Sequence, residues 1–206
     1  MKIGVIILAA GESSRMGQPK QLLRYGGQSL LRHAAETAIE SLWNRTVVVI
    51  GNEARRMKTE LAGLPVSIVE NENWRAGMSS SIRAGMAELA PDDPDAVIVM
   101  LCDQPLLTAE ILNDLIFTHI KSGEPIVAST YGGIQGAPAL FTREIFPDLT
   151  SLTGDEGARR VILNHPDSVA TIAFPQGAFD VDTPREYELI TTHSADNYLP
   201  LARNLR

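Results

Sequence analysis

The fold of this chain is decided by the stretch Leu8-Ala9-Ala10-Gly11-Glu12-Ser13-Ser14-Arg15-Met16-Gly17-Gln18-Pro19-Lys20, which follows an apolar run predicted to be a buried strand, Lys2–Leu8. Glycines let a backbone approach an anion closely, and successive N–H groups at such a turn point toward it. Arg15 and Lys20 add positive charge. The stretch therefore predicts a phosphate-binding loop. A polar strand-to-helix connection explains the same composition, and neither Walker A nor Gly-x-Gly-x-x-Gly is present.

Short β-branched runs alternate with amphipathic segments along the rest of the chain. The further predicted strands are Thr46–Ile50, Val66–Glu70, Ala96–Leu101, Ile126–Thr130, Ala137–Phe141 and Val169–Ala173, and the predicted helices are Ser29–Leu42, Ser79–Leu89, Thr108–Lys121, Asp155–Asn164 and one that begins at Pro184. Because such alternation builds βαβ units, we expect an α/β fold with a mostly parallel sheet that helices cover on both faces. An antiparallel strand or hairpin is expected near Thr130–Phe141.

Composition limits the classes of protein to consider. The 206 residues carry a net charge of −7, and no basic tract is longer than two arginines, which argues against binding to long nucleic acids. The single cysteine, Cys102, excludes an internal disulfide framework. No run of about 18 apolar residues predicts a membrane span, so we expect a cytoplasmic protein. One domain is expected over 1–192, followed by a weakly patterned tail over 193–206.

Three unusual loops follow predicted strands directly. They are Ala9–Lys20, Asn71–Ser81 and Cys102–Pro105. In an open α/β sheet, ligands bind beyond the carboxyl ends of the strands. If these strands lie side by side, the three loops converge on one crevice.

Two carboxylates are candidate metal ligands. Asp103 comes after the five apolar residues Val97–Leu101 and is separated from them by Cys102 alone. A carboxylate at the tip of a buried strand is a suitable ligand for Mg²⁺. An aspartate that caps a turn is the alternative. Asp182, in the cluster Asp180–Pro184, could be a second ligand, or it could belong to an acidic helix N-terminus.

Three further motifs are open to two interpretations each. Asn73–Ser81 could contact a base, ribose or phosphate, or could be an ordinary helix start. The stretch Gly132–Phe141 could cover a second substrate or form a plain hairpin. Leu152–Arg160 could orient an acceptor, while helix capping explains its acidic residues equally well. Cys102 is expected in the core rather than as a nucleophile.

Taken together, these motifs resemble those of the MobA-like nucleotidyltransferases, and within that group the molybdenum cofactor cytidylyltransferases. The resemblance rests on Leu8–Lys20, Gly77-Met78-Ser79-x-Ser81, Asp103-Gln104-Pro105, the Gly-x-Pro-x-Leu-Phe stretch at 136–141, Gly154–Arg159 and Asp180–Pro184. It spans residues 3 to 187 in order. The chain departs from that branch at Ala137, where a histidine or another polar residue is common.

The resemblance implies a Rossmann-like three-layer α/β/α sandwich of the nucleotide-diphospho-sugar transferase type. It also implies Mg²⁺-dependent transfer of CMP from CTP to the phosphate of molybdopterin, with release of pyrophosphate and a recipient molybdoenzyme of the xanthine dehydrogenase type. The residues implied as catalytic are Arg15, Lys20 and Asp103, and the metal ligands are Asp103 and Asp182. Nucleotide contacts are implied for Leu8, Ala9, Ala10, Gly11, Arg15, Lys20, Gly77, Ser79 and Ser81, and acceptor contacts for Gln104, Pro138 and Asp155.

Two alternatives to this function stay open. One is transfer from GTP or ATP to another phosphorylated acceptor, such as a sugar phosphate. The other is a non-catalytic nucleotide-binding module that delivers a cofactor. Such a module needs no pair of metal-binding carboxylates, so Asp103 and Asp182 together argue against it.

Overall fold

The computed structural model describes residues 1–42 and 45–192. Its nine strands are β1 Ile3–Ala9, β2 Arg24–Tyr25, β3 Gln28–Ser29, β4 Arg45–Ile50, β5 Ser67–Glu70, β6 Ala96–Leu101, β7 Ile126–Tyr131, β8 Ile134–Thr142 and β9 Val169–Ala173. Seven of them form one sheet in the order β5-β4-β1-β6-β8-β7-β9, and β2 pairs with β3 in a small hairpin. Only β8 runs against its neighbours in the large sheet, so the predicted, mostly parallel sheet is confirmed.

The helices cover both faces of this sheet. They are α1 Leu30–Ile39, α2 Ala54–Glu60, α3 Met78–Leu89, α4 Ala109–Ser122, α5 Phe146–Ser151, α6 Ala158–Asn164 and α7 Pro184–Thr192. Ser29 begins α1 by accepting a hydrogen bond from the Arg32 backbone N–H at 3.2 Å. In the described residues, no helix is long and apolar enough to cross a membrane.

Alternation along the strands separates two hydrophobic cores. In β1, Val5 and Ile7 pack with α1, α2 and α4, whereas Ile6 and Leu8 pack with α3, α5 and α6. Successive strand residues point to opposite faces, so a strand that is apolar throughout is covered on both sides. The result is the expected three-layer α/β/α sandwich. It has the nucleotide-diphospho-sugar transferase fold.

A third, smaller apolar cluster lies beside the loop that follows β1. It joins Met16 and Leu23 of that segment to Phe179, Val181 and Ile190 near and within α7. The packing brings the far end of the chain against its beginning. Because of this contact, the Asp180–Pro184 motif lies next to the Leu8–Lys20 loop.

Several boundaries differ from the prediction. The helix expected over Asp155–Asn164 begins only at Ala158, because residues 153–156 form a turn in which the Glu156 carboxylate accepts the Thr153 backbone N–H at 2.9 Å. The helix expected to reach Leu42 ends at Ile39. The expected antiparallel strand is β8, whose hairpin with β7 turns at Gly132 and Gly133. The predicted tail, 193–206, lies outside the described residues.

Candidate nucleotide and metal site

A cavity of about 550 Å³ opens where β1 and β6 end, and residues of the segment that follows β5 form part of its wall. In the sheet β1 lies between β4 and β6, with Leu8 opposite Leu101. The three loops picked out in the sequence therefore do meet. The cavity is lined by Leu8, Ala9, Ala10, Gly11, Glu12, Lys20, Gln21, Trp74, Arg75, Gly77, Met78, Ser81, Leu101, Cys102, Asp103 and Asp155.

The Lys20 ammonium group lies between the two predicted metal ligands. Its Nζ is 2.5 Å from Oδ2 of Asp103 and 2.6 Å from Oδ1 of Asp182. The other oxygen of Asp182, Oδ2, is 2.5 Å from Nη2 of Arg15, whose side chain is 71% exposed. The fold thus joins four predicted residues into one network. Lys20 and Asp103 line the cavity, whereas Asp182 lies just behind Lys20 and Arg15 stands at the outer edge of the network.

The charges of this network affect one another. Burial alone would lower the pKa of Lys20, but the Asp103 and Asp182 carboxylates outweigh it, and the pKa is raised well above its ordinary value. Partial loss of hydration, with Asp103 and Asp182 close by, raises the pKa of the Asp180 carboxyl. Both directions agree with the geometry, in which several carboxylates lie close together around the Lys20 ammonium.

The donor set fits a divalent ion that also binds phosphate. Oδ1 of Asp103 is buried and has no hydrogen-bond partner in the described structure. Within residues 1–42 and 45–192, no group of three or more His, Cys, Asp or Glu side chains could hold a metal alone. Mg²⁺ typically takes one or two carboxylates and completes its shell with phosphate oxygens and water. Asp103 and Asp182 match that pattern.

The charge of the cavity wall supports the same conclusion. Its lining carries the acidic residues Glu12, Asp103 and Asp155 against the basic residues Lys20 and Arg75. A nucleoside triphosphate brings about four more negative charges, and such charge is commonly offset in proteins by a bound divalent ion.

Gln21 is a residue that the sequence reasoning missed. Its side chain is 1% exposed, and its amide Nε2 donates to the carbonyls of Ala9 at 3.1 Å and Gly11 at 2.8 Å. Its Oε1 accepts the Ser13 hydroxyl at 3.2 Å. Gln21 therefore holds the loop after β1 in its shape. A polar residue directly before the apolar pair Leu22-Leu23 was the available signal.

The start of α3 forms the opposite wall. Gly77 and Ser81 line the cavity, and the Ser81 hydroxyl accepts from Nδ2 of the buried Asn71 at 3.0 Å. Ser79 does not line it: this residue is fully buried, and its backbone N–H donates to the Gly154 carbonyl at 3.2 Å. This hydrogen bond joins the start of α3 to the acidic loop that precedes α6, and the predicted nucleotide contact of Ser79 stays a prediction.

Trp74 and Arg75 belong to the predicted Asn73–Ser81 motif, although neither was singled out from the sequence as a nucleotide contact. The Arg75 guanidinium lies 4.4 Å from the centre of the Trp74 ring, and both side chains line the cavity. Trp74 packs closely on Gly51: a Cβ atom added to Gly51 would lie 2.8 Å from the Cβ of Trp74. The pair therefore forms a flat wall with a positive charge at its rim.

A second cavity of about 380 Å³ adjoins the first. The two share Leu8, Met78, Leu101 and Asp155 as lining residues. The second cavity is also lined by the polar side chains of Gln104, Tyr131, Arg159 and Asp180. Of its polar lining residues, Gln104 and Asp155 were predicted from the sequence as acceptor contacts.

Gln104 is held in place inside the second cavity. Its amide donates to the carbonyls of Ala137 at 3.2 Å and Gly177 at 3.4 Å, and its Oε1 has no hydrogen-bond partner in the described part of the chain. Pro138 is buried, and its carbonyl accepts the Ser129 hydroxyl at 2.7 Å. Its neighbour Ala137 lines the cavity instead.

Cys102 lies in the core, 4% exposed. Burial, with Asp103 beside it, raises the pKa of its thiol to about 12. The thiolate form that a nucleophile requires is therefore scarce at neutral pH.

Curated relatives cover most of the chain. The purine catabolism protein PucB of Bacillus subtilis is 29% identical over 197 residues, which is 90% of this chain and 94% of that protein. The nicotine blue oxidoreductase of Paenarthrobacter nicotinovorans is 32% identical over 170 residues, covering 78% and 81% of the two chains.

A solved structure shares the overall fold of this chain. Rv0371c of Mycobacterium tuberculosis, described as a complex with manganese, superposes with a TM-score of 0.77 at 26% identity, over 92% of this chain and 98% of that one. The family model of the MobA-like NTP transferase domain matches residues 5–169. This match includes the loop after β1, the start of α3 and Asp103. The chain belongs to the family of the MobA-like NTP transferase domain.

Proposed function

We propose that this nucleotidyltransferase moves CMP from CTP to the phosphate of molybdopterin and releases pyrophosphate, with Mg²⁺ bound. The observation that carries the proposal is the pair of adjoining cavities, because consecutive residues, Asp103 and Gln104, line the first and the second. The first suits a nucleoside triphosphate and the second a smaller acceptor. The cytidylyl and molybdopterin assignments rest on the resemblance of the motifs to the molybdenum cofactor branch.

The name of one relative supports the proposed recipient. PucB is named for purine catabolism, and xanthine, a purine, is the substrate of enzymes of the xanthine dehydrogenase type. We propose a molybdoenzyme of that type as the recipient of the product.

The reaction joins two phosphates. An oxygen of the acceptor phosphate attacks the α-phosphorus of the triphosphate, the bond from that phosphorus to the bridging oxygen breaks, and pyrophosphate leaves with the electron pair. Enzymes of phosphoryl transfer work mainly through positioning and charge stabilisation, so little covalent chemistry is needed from the protein. The two adjoining cavities would bring the reacting groups into line.

Each charged residue has a proposed role. Asp103 and Asp182 would hold the Mg²⁺ ion, which supplies positive charge to the phosphate oxygens. Lys20 and Arg15 would offset the charge that develops on the leaving pyrophosphate. The backbone from Leu8 to Gly11 and the start of α3 at Gly77 and Ser81 would contact the base and ribose. Gln104 and Asp155 would contact the acceptor, with Ala137 lining that pocket in place of Pro138.

The test measures pyrophosphate released from each of the four nucleoside triphosphates with molybdopterin and Mg²⁺. We expect release with CTP, and a loss of about a thousandfold in Asp103→Ala, since loss of the metal removes on the order of 4 kcal/mol of transition-state stabilisation. Asp114→Ala is the control, because Asp114 is an exposed aspartate on α4.

Three results would count against parts of the proposal. Normal turnover of Asp103→Ala would remove the metal assignment. A response to GTP alone would refute the cytidylyl choice. Tight nucleotide binding with no pyrophosphate release for any acceptor would favour the cofactor-delivering module instead.

A further inference from the structure

The two carboxylates proposed to hold the metal are already paired with cations of the chain. Lys20 Nζ contacts Asp103 and Asp182 at 2.5 and 2.6 Å, and Arg15 contacts the remaining oxygen of Asp182. The side chains of Lys20, Asp103 and Asp182 are only 17%, 11% and 18% exposed. An ammonium group therefore lies where a divalent ion would bind these two carboxylates.

The backbone around the three residues is tied down. The Lys20 N–H donates to the Ser13 hydroxyl at 3.1 Å, and the Asp103 carbonyl accepts the Val181 N–H at 3.0 Å. The Asp182 N–H donates to the Glu186 carboxylate at 3.0 Å. The carboxylates thus keep their places, while the ammonium is carried by a flexible four-carbon stem. The movable part of the network is the Lys20 side chain.

Lys20 and a divalent ion exclude one another at this position. Both are cations, and an ion that bridges the two carboxylates would lie in place of the ammonium, which holds Oδ2 of Asp103 and Oδ1 of Asp182, or directly beside it. Like charges repel strongly at such a distance, even where the ion also uses the free Oδ1 of Asp103. Arg15, which contacts the other oxygen of Asp182, is also positive, and the acidic Asp180 lies near both carboxylates. In the described chain no third carboxylate, histidine or cysteine completes a metal cluster there, so phosphate oxygens or water must supply the remaining ligands. A triphosphate offers these oxygens and, at the same time, a new partner for the Lys20 ammonium.

We propose that Lys20 keeps divalent ions out of the empty site, and that an arriving triphosphate draws its ammonium away and so admits the ion. The inference rests on the proposed function, because it takes Asp103 and Asp182 as the metal ligands. Metal binding is then conditional on the nucleotide. By linkage, the factor by which the nucleotide strengthens metal binding equals the factor by which the metal strengthens nucleotide binding.

The test measures Mn²⁺ binding by electron paramagnetic resonance, without turnover. In the absence of nucleotide, we expect Lys20→Met to bind Mn²⁺ at least about tenfold more tightly than the wild type, since the competing cation is gone. The double variant Lys20→Met with Asp103→Asn should lose this gain. Lys20→Arg keeps a positive charge and should bind Mn²⁺ as weakly as the wild type. Lys58→Met, at a surface ion pair with Glu70, is the matched control and should change nothing.

The wild type provides a second measurement that does not depend on whether Lys20→Met folds. With an α,β-methylene analogue of CTP, which cannot release pyrophosphate, the protein should hold Mn²⁺ at least about tenfold more tightly than the free protein or the free analogue does. Asp103→Asn should abolish that increase.

The outcomes separate this inference from the proposed function. Equal or weaker Mn²⁺ binding by a folded Lys20→Met, with normal Asp103-dependent binding in the ternary complex, overturns the competition and leaves the metal site standing. Absence of Asp103-dependent Mn²⁺ binding in every variant and complex overturns the metal site itself. If Lys20→Met does not fold, Mn²⁺ binding by the wild type that is equally tight with and without the analogue overturns the inference.

Discussion

The buried side-chain amide of Gln21 makes three of the hydrogen bonds that hold the loop after β1, and its removal gives the sharpest prediction. Gln21→Leu keeps the size of the side chain but removes its two donated hydrogen bonds, to Ala9 and Gly11, and the one it accepts from Ser13. Each such bond contributes about 1 kcal/mol net, so we expect the free energy of unfolding to fall by about 2–3 kcal/mol.

The same change should weaken nucleotide binding. The loop would have to be ordered by the ligand rather than by Gln21, and ordering it costs about 1.4 kcal/mol, which is tenfold in Kd. Urea denaturation gives the stability, and calorimetric titration with CTP gives the affinity. Gln18→Leu, at an exposed glutamine of the same loop, is the control and should change neither.

Two results would refute the reasoning. If Gln21→Leu unfolds within about 0.5 kcal/mol of the wild type, the three hydrogen bonds do not hold the loop. If it is destabilised as expected but binds CTP with unchanged affinity, the loop does not bind the nucleotide in the way we propose.

Three further predictions follow from other parts of the structure. Gly77→Ala should weaken binding of nucleotide and acceptor together in calorimetric titrations, because Gly77 has φ +97° and a Cβ there would lie 2.2 Å from the Gly154 carbonyl. Phe141→Ala should lower the unfolding free energy by about 3–5 kcal/mol in urea, because Phe141 is fully buried. Asp95→Asn should lower Tm at neutral pH. The Lys2 N–H bonds to Asp95 and lowers the pKa of this carboxyl, so its contribution is present above the unfolded pKa of about 4 and is lost as pH falls through the folded value.

Each of these has a result that contradicts it. A Gly77→Ala variant that loses affinity for only one of the two ligands would contradict the first prediction. The second would be wrong if Phe141→Ala lowers the unfolding free energy no more than Phe117→Ala, a change at an exposed phenylalanine on α4. For Asp95→Asn, a Tm difference from the wild type that stays constant or grows on acidification would show that the pKa shift does not contribute.

The sequence was most informative where local pattern and tertiary structure agree. Ala96–Leu101 and Val169–Ala173 are strands with the predicted bounds, since apolar runs bounded by polar turns have few other places in an α/β fold. Ala54–Glu60 was missed as a helix because it is short and strongly charged, and only Ala54 and Met57 reach the core. Its formation depends on packing rather than on its own periodicity.

Some features of the candidate site could likewise be predicted from local sequence and others could not. Lys20 and Asp103 could be found because each stands out in its own motif. The contact of Lys20 with both Asp103 and Asp182 could not be predicted. The three residues come from distant parts of the chain and meet only when α7 packs against the loop after β1. Gln21 was missed for another reason: a polar residue before Leu22-Leu23 is a weak signal, and its hydrogen bonds to the Ala9 and Gly11 carbonyls form only in the folded chain.

The wall shared by the two cavities has a consequence for what leaves the enzyme. Leu8, Met78, Leu101 and Asp155 face both spaces, so one molecule made of a nucleotide joined to its acceptor would occupy the two together. Such a product binds more tightly than either half because its two ends are linked, and both ends must dissociate before the product is released. We expect its release to limit turnover. A stable compound that links the two substrate halves should then inhibit far more strongly than either half alone.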